Sequence, residues 1–168
     1  MVGLPRRDGR KPDGARGWQC ALTVPRELSI RDGKLCQRPA HEIERMRGDC
    51  VRAIGGETVE EPGRLFDLVV SCEGAKMVEL EIRKGVFVRY ADGMLTLDMG
   101  DEGYGRDQRS IELSELRDLR VLSDTTMVEI FANGGEAALT SRTYSPAVPA
   151  MELHAEGAAS MNFYRLAH

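Results

Sequence analysis

Three carboxylates lie within thirteen positions of one another in the stretch DTTMVEIFANGGEAALTSRTYSP: Asp124, Glu129 and Glu136. Paired acids are the apparatus of glycosidic-bond hydrolysis. One is held protonated and one ionised, about 5–5.5 Å apart for retention or about 6.5–9.5 Å for inversion. This stretch reads instead as a hairpin. Val128, Ile130 and Ala132 point one way, Met127, Glu129 and Phe131 the other, and Asn133-Gly134-Gly135 makes the turn. Asp124 and Glu129 are an odd number of residues apart, so on one continuous strand they face opposite sides, and Glu136 stands beside the turn. Nothing in the sequence desolvates one carboxyl beside another that stays charged. The acids therefore read as structural or solvated, with Asp124 tying down a turn and Glu129 pairing with an Arg on a neighbouring strand or across an interface.

Other catalytic patterns are missing from the sequence: no G-x-S-x-G, no H-E-x-x-H and no P-loop. His41, His154 and His168 share no ligand spacing, and Cys20, Cys36, Cys50 and Cys72 contain no C-x-x-C pair. No metal and no cofactor is expected on that basis. The cysteines read as small buried hydrophobes of a reducing cytosol.

The elements that must position these residues are strands. Of 168 residues, 42% are hydrophobic and 30% charged, enough for one domain with a core. Residues 1–17, rich in Gly, Pro, Arg and Asp, cannot offset their ordering entropy by burial, which predicts a mobile segment. From Trp18 the texture changes. WQCALTV is strand-like, ELSIRDGKLCQ reads as a hairpin turning at Asp32-Gly33, and RPAHEIERMRG is the one helical turn. Phe66, Leu68 and Val70 alternate with Asp67 and Ser71; Val78, Leu80 and Ile82 alternate with Glu79, Glu81 and Arg83. GVFVRYADGMLTLDM is a second hairpin, turning at Asp92-Gly93; LRDLRVLSD and ASMNFYRLAH are further strands, and DMGDEGYGRDQRS a long surface loop. About ten short alternating strands define an all-β, two-sheet antiparallel β-sandwich with at most one short helix. Its two inner faces would bury Leu68, Val70, Leu80, Ile82, Val128 and Ile130 together.

A formal net charge of −4 argues against a nucleic-acid partner, and no apolar run is long enough to span a bilayer, which predicts no membrane partner. The N-terminus lacks the apolar core of a secretory signal. Aromatics at 5%, with one Trp, weigh against an open sugar-stacking platform.

Two separated stretches carry a family likeness. GWQCALTVPRELSIRDGKLCQRP, residues 17–39, resembles the segment that joins the two domains of glycoside hydrolase family 32, which contains invertases, sucrose-6-phosphate hydrolases, levanases and inulinases. LRVLSDTTMVEIFANGGEAALTSRTYSP resembles that family's late hairpin motif, matched by Asp124, Glu129, Phe131, Asn133, Gly135, Glu136, Thr140, Arg142, Tyr144 and Pro146, with Thr126 where Ser is commoner. The resemblance implies a concanavalin/laminin-G-like jelly-roll sandwich over 18–168, with residues 1–17 the end of a last propeller blade and linker. It implies a bacterial cytoplasmic parent, closest to sucrose-6-phosphate hydrolase, performing retaining β-fructofuranoside hydrolysis on an N-terminal five-bladed propeller. That propeller's Asn-Asp-Pro-Asn, Arg-Asp-Pro and Glu-Cys motifs do not occur in this sequence. No catalytic residue carries over, no substrate-binding residue can be named, and the chain alone is expected to be inactive. The resemblance makes the propeller the partner and places the interdomain seam at Trp18, Pro25, Arg26 and Glu27. Self-association through the exposed interdomain face is also expected. The alternative is a non-catalytic carbohydrate-binding module.

Overall fold

The computed structural model describes residues 21–103 and 105–167. The predicted mobile segment 1–17, the strand-like residues 18–20 with Trp18 and Cys20, and His168 lie outside the described residues.

Alternation of apolar and polar residues, punctuated by Gly turns, produces fifteen strands among the described residues: β1 (Arg26–Arg31), β2 (Lys34–Pro39), β3 (Arg47–Ile54), β4 (Thr58–Glu60), β5 (Phe66–Ser71), β6 (Met77–Arg83), β7 (Val86–Ala91), β8 (Met94–Asp98), β9 (Gln108–Glu112), β10 (Asp118–Ser123), β11 (Met127–Ala132), β12 (Ala137–Arg142), β13 (Ala150–Glu152), β14 (His154–Glu156) and β15 (Ser160–Leu166). Helix among the described residues is of the 3-10 kind: His41–Met46, where a helical turn is expected, and two shorter pieces at Gly100–Gly103 and Asn133–Gly135.

The strand pairings are antiparallel. One sheet runs β12-β11-β10-β5-β15-β3 and the other β14-β6-β7-β8-β9; β4 pairs with β13, and β1 with β2, as separate two-stranded units. The six residues expected at the inner faces, Leu68, Val70, Leu80, Ile82, Val128 and Ile130, are all buried in one cluster. The rings of Phe66 and Phe163 meet there at 5.3 Å. Burying side chains of this size is worth roughly 1.5–3 kcal/mol each, so a one-residue slip that turned them to water is strongly disfavoured. The protein is therefore a two-sheet antiparallel β-sandwich, as the alternation predicts.

Five local readings differ from expectation. Arg83, read as a solvent-facing partner of Glu79 and Glu81, is fully buried. The β6–β7 register shifts between Glu81 and Arg83, and this bulge turns the side chain inward. Its guanidinium is held by Ser123 Oγ (2.8 and 3.0 Å) and by the carbonyls of Arg64, Asp124 and Ser145, and burial pushes its pKa down to about 10. Asp67 does lie on the outer face of its strand, but it too is fully buried, clamped between two arginines. Residues 21–25 are not strand, and the end of the predicted surface loop is edge strand β9. Of the cysteines, Cys36 and Cys72 are buried but Cys50 is exposed, because β3 is an edge strand that packs little besides Ala53. Burial pushes the Cys72 thiol up to about 12.

Candidate functional site

The two motifs singled out in the sequence meet in space. Chain segments over 100 residues apart are joined where Arg26, at the start of β1, reaches across to β11. Its Nη2 donates to Glu129 Oε2 (2.6 Å) and Thr140 Oγ1 (2.8 Å), its Nη1 to Gln37 Oε1 (2.9 Å), and its guanidinium lies 5.1 Å from the centre of the Phe131 ring. The other Glu129 oxygen accepts the Val24 N–H at 2.7 Å. Glu129 is only 3% exposed because the β1–β2 hairpin covers the outer face of β11, all six of whose residues are buried. Its carboxylate is thus an acceptor with both oxygens committed, and cannot serve as a general acid.

The turn after β11 is shaped by the same docking. Asn133 at φ +53° accepts the Arg117 N–H on Oδ1 (2.9 Å) and donates Nδ2 to the Glu115 carbonyl (2.9 Å). Gly135 has φ +92°, and a Cβ there would stand 2.1 Å from the Gln37 carbonyl oxygen. The hairpin backbone can lie on this turn only if position 135 has no side chain. Arg31 donates to the Gly134 carbonyl, and Lys34 pairs with Glu136, whose pKa is lowered chiefly by that contact. Arg142 lies over the Tyr144 ring at 5.3 Å. Asp124 is exposed; its Oδ1 accepts the Thr125 N–H at 2.5 Å, while its carbonyl takes Arg83.

The structure brings Arg26 together with Glu129, Phe131 and Thr140, and brings Gly135 and Glu136 against β2. Of the three acids, Asp124 and Glu129 line one pocket, while Glu136 lies apart from it, against β2. Pro25 is exposed and its carbonyl accepts the Ala40 N–H (2.8 Å); Glu27 is exposed and pairs with His41 (2.8 Å), raising the imidazole pKa. Arg26 therefore bonds to the sandwich. The residues that follow it at intervals of two on the same side of the hairpin are apolar. Leu28 and Ile30 on β1 and Leu35 on β2 share one face of the hairpin and are 65%, 77% and 56% exposed; Leu22, just before, is 96% exposed. Alternation already marked these positions in the sequence, but not that the face stays bare. An apolar pocket of about 240 Å³ opens nearby, lined by Val24, Ile43, Met46, Leu65 and Met127 among others.

Glu27, His41 and Glu42 place three ligand-type atoms within 4.8 Å of one another, all exposed, and the His41–Glu27 ion pair accounts for their proximity. No helix among the described residues is long and apolar enough to cross a membrane.

The geometry is that of a sandwich with a two-stranded hairpin strapped to its outer face. Residues 84–166 match the family described as glycosyl hydrolases family 32 C terminal. The chain is 37% identical over 165 residues to a raffinose invertase of Escherichia coli, covering 88% of this chain and 34% of that protein. It is 30% identical over 164 residues to a sucrose-6-phosphate hydrolase of Staphylococcus xylosus, covering 86% and 33%. Among solved structures, sucrose-6-phosphate hydrolase from Lactobacillus gasseri superposes with a TM-score of 0.72 at 19% identity, over 84% of this chain and 33% of that one. A Bombyx mori family 32 β-fructofuranosidase gives 0.74 at 20% identity, over 99% and 36%. These structural likenesses carry the fold. The chain spans about a third of the length of the curated relatives it matches. It belongs to glycoside hydrolase family 32, as the C-terminal sandwich domain.

Proposed function

We propose that this sandwich braces the catalytic domain of a bacterial, cytoplasmic β-fructosidase, whose activity is retaining hydrolysis of sucrose, sucrose 6-phosphate or a fructan. The observation that carries the reading is the hairpin: a docked strap, fixed by the part-buried Arg26–Glu129 pair, presenting a bare apolar face of Leu28, Ile30 and Leu35. A strap so held is a preformed docking surface, and contiguous exposed apolar residues mark interfaces. The length of the relatives supports the partner: the chain matches about a third of each, which leaves room there for a catalytic domain. The seam assigned from sequence to Trp18, Pro25, Arg26 and Glu27 is proposed here to extend along Leu28, Ile30 and Leu35, with Arg26 anchoring the hairpin at the start of β1. Residues 1–17 are proposed as the end of the last propeller blade and the linker, and 18–168 as the sandwich domain. In the absence of the propeller, the same face is proposed to drive self-association.

The reading makes the chain alone inactive. Reducing-sugar release from sucrose, sucrose 6-phosphate and raffinose by the purified polypeptide is expected at the uncatalysed rate; turnover above that would overturn it.

A further inference from the structure

A groove of about 450 Å³ crosses the outer face of the six-stranded sheet. Its floor comes from β5, β10, β11 and β15, and its walls from Arg38 and Pro39 of β2, Glu44 of the 3-10 helix and Arg47 of β3. The floor is fixed. Asp67, fully buried, accepts Arg47 Nε (2.7 Å) on Oδ2 and a two-pronged contact from Arg120, Nε to Oδ1 at 2.9 Å and Nη2 to Oδ2 at 2.7 Å. Arg120 Nη1 donates on to Glu44 at 3.3 Å, and Arg47 lies over the Tyr164 ring at 4.4 Å. Two groups on the lining make no hydrogen bond among the described residues: the Asn162 carboxamide, which can both donate and accept, and the Arg38 guanidinium. Asp118 uses Oδ1 for the Gly134 N–H. Its second oxygen makes no hydrogen bond among the described residues.

The charges decide the class of ligand. Arg38, Arg47 and Arg120 are balanced by Asp67, Glu44 and Asp118 at the lining and beneath it. A balanced site gives no net attraction to an anion. It offers instead free donors beside free acceptors, with Val69 and Tyr164 as small apolar patches between them, the mixture that matches vicinal hydroxyls and C–H faces. We infer that this groove binds an uncharged, hydroxyl-rich saccharide. The identity of the sugar rests on the family 32 reading above; the groove and its chemistry do not.

The test is a titration of the isotope-labelled chain with raffinose, followed by amide shifts, with sucrose 6-phosphate and maltotriose in parallel. Saturable raffinose shifts confined to Gly134, Gly135, Asn162 and their strand neighbours are expected. Asn162→Ala with Arg38→Ala should weaken binding by about tenfold or more, since each removes a hydrogen-bonding group. Ile30→Ser, on the bare face, should leave it unchanged. Saturable binding of maltotriose but not raffinose would keep the site and point away from a fructoside. Shifts scattered over the surface, or none up to the solubility of the sugars, would overturn the inference. So would sucrose 6-phosphate bound at the groove far more tightly than raffinose. None of these outcomes bears on hydrolysis by the parent, which is tested by turnover.

Discussion

The β1–β2 and β7–β8 hairpins are built alike and end differently. Both turn through Asp-Gly with positive φ at each residue, +49° and +75° at Asp32-Gly33, +50° and +72° at Asp92-Gly93. This is the primed turn whose twist matches that of the flanking strands. Both alternate apolar with polar residues. In β7–β8 the alternating set, Val86, Val88, Leu95 and Leu97, is buried against the facing sheet. In β1–β2 the set Leu28, Ile30 and Leu35 is left in water, and the hairpin is held by Arg26, Glu129 and the Gly135 turn. The same local code thus specifies a face without specifying its partner. One hairpin finds that partner within the sandwich, and the other is a strap whose apolar face stays exposed.

The largest expected difference lies in the apolar positions themselves. Leu95→Ala should cost about 4 kcal/mol in urea unfolding, because it leaves a cavity in the core. Ile30→Ala should change stability by less than about 0.5 kcal/mol, as surface substitutions do. Equal losses would erase the contrast between the hairpins.

Next is the anchor. Glu129→Ala strands the Arg26 guanidinium in a part-buried site and should cost about 3 kcal/mol. The loss should come with faster amide exchange through β1 and β2 and little change in β7 and β8. A uniform rise in exchange would mean that the strap is not a separate unit.

The turns should respond alike. Gly33→Ala and Gly93→Ala each force an L-residue into the left-handed region and should cost about 1 kcal/mol or somewhat more. At Gly93 the cost should appear in global unfolding, and at Gly33 as local opening of the strap by hydrogen exchange.

The smallest effect is electrostatic. Glu27, beside His41, raises the imidazole pKa above its ordinary 6.5. Stability from this pair is present below about pH 6.5 and is lost as the pH rises through the folded-state value. Proton NMR of His41 should show a midpoint above 6.5 that Glu27→Gln returns toward it. An unchanged midpoint would detach β1 from the 3-10 helix.

How far the sequence reached can be judged at particular residues. The period of two identified the inner faces, because burial on one side leaves a strict alternating record, as at Leu68 and Val70. It misread Arg83, since one bulge residue inverts the sidedness and leaves no compositional mark. It took Glu129 to be structural or solvated; the structure makes it structural, because covering β11 requires a segment more than 100 residues away. Edge strands β3 and β9 escaped because each packs on little and has weak alternation. The Asp67–Arg47–Arg120 cluster was invisible for a related reason: its members look like ordinary outer-face charges until β10, β5, β15 and β3 are placed side by side.

The central proposal is that the strap's exposed apolar face docks a partner domain and, without it, a second copy. Sedimentation velocity over a wide concentration range tests it most directly. The account predicts reversible self-association that Ile30→Asp abolishes without loss of thermal stability. A strict monomer throughout, or an association indifferent to Ile30→Asp, would contradict it.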